Sequence, residues 1–411
     1  MSSSTPPAET VSRPTKILSK KNLISAWLLS RDASSKPGGP GIDKVKAHSF
    51  AAKLDEMCDQ IVRDVRNGNV NFSKLRAKPI PKPGTSKERL ICIPTVRDRL
   101  IQRTMLAHIA KKITIFEVSK YAFKDNGGTH KAIQECKRLR ANYSYVAKTD
   151  IIQFFDTISR PKLKARCKKV LGRSSLIPML YRVIDTEISV HNSSFTKKHG
   201  VARGKGLRQG MPLSPLLANL ALYDLDKYIT KKKVPALRYV DDLIIFANSK
   251  KEAEKYIESI ATELSKLDLG IPNLCEDSKT QIFGPTATTE FLGVEIYFSE
   301  KHDGWEHKVP EKQIEKIESK IIDLGDLDVL LSKEQTLYDF AVKVASQKKA
   351  YKSAYKGARN LDRLVQVIDK QRNKATLDIL TQLFGIEAVE NLDERGKRFL
   401  NLSFNNVDAD F

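Results

Sequence analysis

The chain has 411 residues, 41% of them hydrophobic, and carries 71 Lys and Arg against 49 Asp and Glu, a formal net charge of +22. That length suffices for two or three packed subdomains, and the positive excess points to a polyanion, nucleic acid before an anionic membrane surface. No apolar run approaches the ~20 residues that span a bilayer, and the scattered Cys58, Cys92, Cys136, Cys167 and Cys275 form no C-x-x-C pair, which argues against a zinc site or disulfide framework and for reduced thiols in the cytoplasm.

The start, M-S-S-S-T-P-P-A-E-T, lacks the apolar core of a signal peptide, and residues 1–16 read as a disordered Ser/Thr/Pro tail. Apolar spacing predicts a helix from Ile17 to Ser30, a loop at K-P-G-G-P-G-I-D, and a second helix from about Phe50 to Asn67. Lys78 to Pro83 must be extended, because each proline restricts the residue before it. With a turn at Gly84 and a strand from Arg89 to Ile93, this makes a proline-rimmed hairpin carrying Lys82 and Arg89. A helix is expected from Arg97 to Lys112, with Asp98, Arg99 and Gln102 on its surface.

Tyr121 to Gly128 reads as a loop, with Thr129 as the cap of a helix running to Leu139. Tyr143 to Thr149 reads as a strand delivering Asp150, followed by a basic helix from Pro161 to Val170; residues 172–200 give mixed signals. Gly204 to Gly210 is a Gly-rich basic loop, and Ser214 with Pro215 predicts the cap and first turn of a long helix.

In A-L-R-Y-V-D-D-L-I-I-F, Asp241 and Asp242 interrupt two strand-forming flanks, which suggests a hairpin with acids at its bend. Carboxylates inside a buried hairpin are costly unless a cation or hydrogen bonds hold them; the alternative is a surface turn. Neighbouring strand residues face opposite sides, so the economical arrangement pairs Asp150 with Asp241 and leaves Asp242 in support. Oxygen-only ligation of this kind suits Mg²⁺ bridged to phosphates.

Beyond the hairpin, Lys250 to Leu267 reads as an amphipathic helix ended by Gly270, followed by a strand near Lys279 to Phe283. A further hairpin is expected from Phe291–Ile296 and Trp305–Val309. The pattern is helical from about Glu311. Between Lys343 and Lys374 ten basic residues face two acids, and Lys348, Lys352, Lys356, Arg359 and Arg363 have the spacing of one helix face. The readings open there are a solvated face and phosphate contact.

Eight stretches in order, from about Gly38 to Ile296, resemble bacterial reverse transcriptases related to group II intron-type enzymes. They are G-G-P-G-I-D-K-V, I-P-K-P-G-x(4)-R-L-I-C-I-P-T, Y-A-F-K-D-N-G-G-T-H, K-T-D-I-I-Q-F-F-D, G-L-R-Q-G-M-P-L-S-P, Y-V-D-D, E-D-S-K-T and F-L-G-V. The resemblance implies an α+β right-hand polymerase. Fingers and palm would occupy residues 17–300, with an antiparallel sheet carrying the aspartates, and a helical basic thumb residues 301–411.

It further implies that Asp150, Asp241 and Asp242 hold two Mg²⁺ ions, or Mn²⁺, for in-line nucleotidyl transfer. Lys82 and Arg89 would clamp the incoming triphosphate. Phe155 matches the aromatic gate that favours dNTPs, with core packing as its alternative. Gln209 and Gly210 would line the nucleotide, and Lys279 would donate a proton to pyrophosphate or act through its charge. The chain departs from the family at Arg208, where proline is usual and a cation is added to the nucleotide loop, and at Ile152.

The absence of a Cys/His-rich tail, of room for an RNase H domain and of retron signatures suggests a stand-alone enzyme. It looks most like defence-associated bacterial reverse transcriptases, which copy a partner non-coding RNA into cDNA during antiphage immunity. The competing readings are an RNA polymerase and a group II intron-derived RNA-binding splicing helper.

Overall fold

A computed structural model of the chain describes residues 13–34, 37–81, 88–122, 128–189, 195, 201–393 and 395–396. Lys82 and most of the expected N-terminal tail lie outside the described residues, as do residues 190–194 and 196–200 of the stretch with mixed signals. Pro14–Ile17 already forms a helical turn, so the start of the fold precedes the expected boundary at Lys16. The chain divides into two compact units, one of residues 1–120, 147–245 and 254–281, the other of residues 121–146, 246–253 and 282–411.

In the first unit, helices Lys20–Leu28, Leu54–Arg66 and Val96–Ile109 pack together. Leu23, Ile61, Leu100 and Ile101 are fully buried between them. Asp98, Arg99 and Gln102, expected at the surface, are 1%, 5% and 1% exposed. For Asp98 and Arg99 the reason is local pairing of their charge. Arg99 Nε donates to Asp32 Oδ2 at 2.9 Å and its Nη1 to the Gly39 carbonyl at 2.8 Å, while Asp98 accepts from Ser73 N at 2.8 Å. The G-G-P-G loop is thus tied to this helix through the Gly39 carbonyl, beside the buried Arg99–Asp32 ion pair, whose disruption would cost about 3–5 kcal/mol.

Strands β1 (Arg76–Pro81) and β2 (Glu88–Ile93) form the expected antiparallel hairpin, with Ile80 opposite Arg89. A four-stranded sheet follows. It contains β3 (Tyr145–Asp150), β4 (Ala236–Tyr239), β5 (Asp242–Ala247) and β6 (Gln281–Phe283) in the order β4-β5-β3-β6. Helix Ser214–Ala221 packs on helix Arg160–Leu171. Ser214 is its first residue and not its cap: the hydroxyl donates backwards to the Arg208 carbonyl at 2.7 Å. The predicted long helix breaks at Leu222 and resumes as Tyr223–Lys232.

The second unit contains helix Gly128–Asn142, which takes in Thr129 and so removes it as a cap. Its sheet is three-stranded: β7 (Thr289–Phe291), β8 (Val294–Ser299) and β9 (Gly304–Lys308). Helices Glu311–Leu324, Leu327–Ser332, Leu337–Ala354 and Leu361–Phe384 bury Ile317, Ile321, Phe340, Leu364 and Ile368 in one core.

The five basic residues expected on one helix face there do not share a helix. Lys348 and Lys352 belong to Leu337–Ala354 and Arg363 to Leu361–Phe384, while Lys356 and Arg359 lie in the turn between. Gly357, at φ +82°, breaks the helix, and the Asn360 side chain bonds both the N–H and the carbonyl of Val309 at 2.8 Å. Three of the five cations are neutralised within the unit: Lys348 by Asp369, Arg359 by Glu306 and Arg363 by Glu311. Among the described residues no helix is long and apolar enough to cross a membrane.

Candidate active site

The acidic bend is built by β4, β5 and the end of β3. Tyr239 pairs with Asp242, which leaves Val240 and Asp241 as the two-residue turn. Val240 sits at φ +61°, a strained conformation for a β-branched residue. Arg238, 2% exposed, holds it: Nη1 donates to the Val240 carbonyl at 2.7 Å, and Nε donates to buried Asp226 Oδ1 at 2.7 Å. The sequence reading singled out neither Arg238 nor Asp226.

Just past the end of β3, Ile151 N donates to the Asp241 carbonyl at 3.3 Å, which sets Asp150 beside the turn. Ile152 N donates to the Gly270 carbonyl at 2.9 Å, and Thr149 Oγ1 lies 2.7 Å from Thr280 Oγ1. Those two contacts bring the segment carrying Lys279 to the same place, where Lys279 Nζ is ion-paired with Asp150 Oδ2. Three carboxylates and one ammonium from three separate stretches therefore converge. The surface-turn alternative for Asp241 and Asp242 does not describe this arrangement.

Electrostatics bear out the cost of placing them there. Burial raises the Asp241 carboxyl above its ordinary range and Asp150 adds to the rise, against opposition from Arg89 and Lys279. Asp242 is pushed up to about 6 by burial and then by Asp241, with Lys148 opposing. Asp242 is thus as much part of the strained group as Asp241. Lys148, which sequence reasoning missed, has only a weak signal: it stands two residues before Asp150 on the same strand face.

Among the described residues no three His, Cys, Asp or Glu close around a single point as a finished metal cage. The donor set nevertheless fits a hard divalent cation. All the donors are oxygens, two of the carboxyls resist ionisation where they stand, and a cation between them would remove that penalty.

Gln153, at φ +44°, starts the short helix Phe154–Thr157. Phe154 takes the core position at 2% exposure, and Phe155 stands half-buried with its ring 5.5 Å from that of Phe154 at 63°. Core filling therefore accounts for Phe154 and leaves Phe155 facing outward. The Phe155 carbonyl accepts from Leu207 N at 2.7 Å. A Cβ on Gly206 would lie 2.7 Å from the Asp156 carbonyl oxygen, so only glycine allows the approach.

Arg208, expected to add a cation at the nucleotide loop, is 4% exposed and bonded to Glu187 and to the Ala202 carbonyl, each at 2.7 Å. Gln209 is half-buried, and its carbonyl accepts from Cys92 N of β2 at 2.7 Å. Gly210, at φ +105°, leaves room for β2: a Cβ there would meet the Cys92 oxygen at 2.7 Å. The close neighbour of this glycine in the structure is protein backbone. Arg89 is exposed on β2.

A strand-borne aspartate beside an acidic hairpin, next to a basic two-stranded hairpin and a glycine-rich loop, is the palm of a right-hand polymerase. The chain belongs to the reverse transcriptase (RNA-dependent DNA polymerase) family, whose model matches residues 80–296. Reverse transcriptases of this family use divalent metal ions.

The group II intron-encoded protein LtrA of Lactococcus lactis is 26% identical over 217 residues, 52% of this chain and 35% of LtrA. Protein YkfC of Escherichia coli is 27% identical over 202 residues, 47% of this chain and 50% of YkfC. The match thus spans between a third and a half of these relatives. Among solved structures, apo telomerase from Candida tropicalis aligns with 85% of this chain and 73% of its own at a TM-score of 0.43 and 14% identity.

Proposed function

We propose that the chain is an RNA-directed DNA polymerase that copies an RNA template into cDNA from dNTPs. The observation that carries this is the convergence of Asp150, Asp241 and Asp242 on one small region, with two of the three held above their ordinary ionisation range. Residues 17–300 would be fingers and palm, and residues 301–411 the thumb.

Asp150, Asp241 and Asp242 would hold Mg²⁺, or Mn²⁺ in its place. When bound, such ions activate the attacking 3′-hydroxyl and neutralise charge on the leaving pyrophosphate. The protein's own contributions are separable. Arg89 supplies positive charge opposite the acids, and Lys82 would add to it on the incoming triphosphate. Phe155 presents a ring that leaves no room for a 2′-hydroxyl. The Gln209–Gly210 segment is fixed to β2 and shapes the nucleotide side of the site. Lys279 is placed to deliver a proton or a positive charge next to Asp150.

The partner RNA would be a cognate non-coding RNA in the bacterial cytoplasm, and the biological setting antiphage defence. Sequencing RNA that co-purifies from the native host tests that part: one abundant species supports it, and a heterogeneous pool overturns it. For catalysis the test is Asp241→Asn with Asp242→Asn, expected to abolish dNTP incorporation while RNA binding survives. Undiminished synthesis in that double variant would sink the assignment. The resemblance to an intron-encoded protein favours a second reading, an RNA-binding splicing helper, for which the same variant would keep its function.

A further inference from the structure

We propose that the basic groove along helix Arg160–Leu171 is a second RNA-binding surface, made of residues other than those of the acidic site. From Arg160 to Ile184 the sequence holds eight Lys and Arg and no Asp or Glu. Such a run within a folded unit demands counter-charges from elsewhere, and the structure supplies only some of them. Arg160 is paired with Glu187, Lys162 with Asp268, Lys164 with Asp185 and Arg166 with Asp224. Among the described residues Lys168, Lys169 and Arg173 have no acidic partner, and all three are exposed.

Beside this helix runs a groove of about 330 Å³ with Leu163 and Leu269 in its floor and Lys162, Arg166, Lys169 and Lys266 around it. Asp224 is the one acid in its lining. Lys162, Arg166 and Lys169 follow one another at spacings of 4 and 3 residues, so they form a row down one helix face, about 5 Å per step, and Arg173 lies just past the helix end at Leu171, beyond Gly172 at φ +55°.

A second helix joined to this one by an ion pair adds further cations. Asp224 anchors Tyr223–Lys232 against Arg166, and the exposed Lys227 and Lys231 follow Asp224 at the three- and seven-residue spacing of one face. An extended line of cations over an apolar floor suits a ligand that is itself a line of charge with flat apolar faces: a ribose-phosphate backbone with its bases. A short acidic peptide would match the charge and not the length.

The identity of the polyanion as RNA rests on the polymerase reading, so the two are tested apart. Binding of a long structured RNA is measured by fluorescence anisotropy in EDTA across a salt series, for wild type and for Lys169→Glu–Arg173→Glu. Loss of two phosphate contacts should weaken binding about 10-fold and lower the log–log salt slope by about 1.5. An unchanged slope overturns the surface, as does displacement of the RNA contact by polyglutamate at equal charge. Ultraviolet crosslinking of the unmodified chain to the same RNA, mapped to peptides, guards against a misfolded variant. Crosslinks within residues 162–173 support the proposal, and their absence there overturns it. Wild-type synthesis on poly(rA)–oligo(dT) is scored separately: its absence would defeat the polymerase reading alone.

Discussion

Arg208 and Glu187 are joined at 2.7 Å, and the second oxygen of the same carboxylate takes Arg160 at 2.7 Å and Gly204 N at 2.9 Å. One half-buried acid therefore fixes the start of the Arg160–Leu171 helix and the loop that carries Gln209 and Gly210. The Glu187 backbone carbonyl also accepts from Leu75 N at 2.9 Å, where the chain enters β1. Glu187 thus ties the Gly204–Gly210 loop, proposed above to line the nucleotide, to the start of the β1–β2 hairpin.

Removing that carboxylate leaves Arg160 and Arg208, each 4% exposed, as uncompensated buried cations. Glu187→Ala should cost about 3–5 kcal/mol of stability in urea titration. Glu187→Gln should fold better and raise KM for dNTPs more than it lowers kcat. A cost below about 1 kcal/mol for the alanine variant would contradict the clamp.

This clamp was not legible in the sequence. Arg208 read only as a cation added to its loop; its partner stands 21 positions away, and no local spacing rule links the two. Asp150, Asp241 and the β1–β2 hairpin were legible because short-range patterns carry them: alternation, proline restriction and a polar pair between strand-forming flanks. The basic helix face failed for the opposite reason. Its spacing was right for a helix, but Gly357 lay inside the window and its left-handed backbone ended the helix before Lys356.

Gly210 offers a test of the contact between the loop and β2. At φ +105° any side chain is strained, and a Cβ would press on the Cys92 oxygen at 2.7 Å. Gly210→Ala should push the loop off the hairpin and cut kcat/KM for dNTPs at least ~10-fold, since misplacement by about an ångström suffices for that. Gly270→Ala, with nothing within 4 Å of its Cβ position, is the control and should stay near wild type.

Phe155 is half-buried while Phe154 fills the core. Phe155→Ala should therefore leave the thermal midpoint within a few degrees and admit ribonucleotides, measured by competition of rNTP with dNTP. A collapse in stability with no gain in ribonucleotide use would return Phe155 to a packing role, for which about 3–5 kcal/mol is the usual cost of truncation.

The acidic bend should betray itself through stability without any turnover assay. The Asp242 carboxyl is raised to about 6 by burial and by Asp241, so its stabilising contribution is full at pH below the ordinary value of 3.8 and lost as pH rises through 6. At pH 8 in EDTA the ionised Asp242 is a liability, and Asp242→Asn should be more stable than wild type by about 1–3 kcal/mol. Added Mg²⁺ should raise the melting temperature of wild type and not that of an Asp150→Asn–Asp241→Asn variant. Equal shifts in both would place the ion elsewhere.

His307 makes the second unit acid-sensitive. It lies on β9 at 1% exposure, and burial, then the charge of Lys137, pushes its imidazole down to about 4; His130 lowers it further, while Glu306 and the Lys356 backbone oppose. Its folded value is below the ordinary 6.5, so the unfolded chain binds the proton more readily across that window, and stability falls as pH drops from 6.5 towards 4. Between pH 7 and pH 5 this one group should remove about 2 kcal/mol. His307→Gln cannot take up the proton. Whatever its stability at pH 7, its loss on going to pH 5 should be smaller than that of wild type by about the same 2 kcal/mol. Paired urea titrations at the two pH values measure the difference, in which the other carboxylates cancel. Identical losses in the two proteins would mean that His307 is protonated in the folded state at pH 5, and that its burial is relieved by an opening of β9 towards solvent.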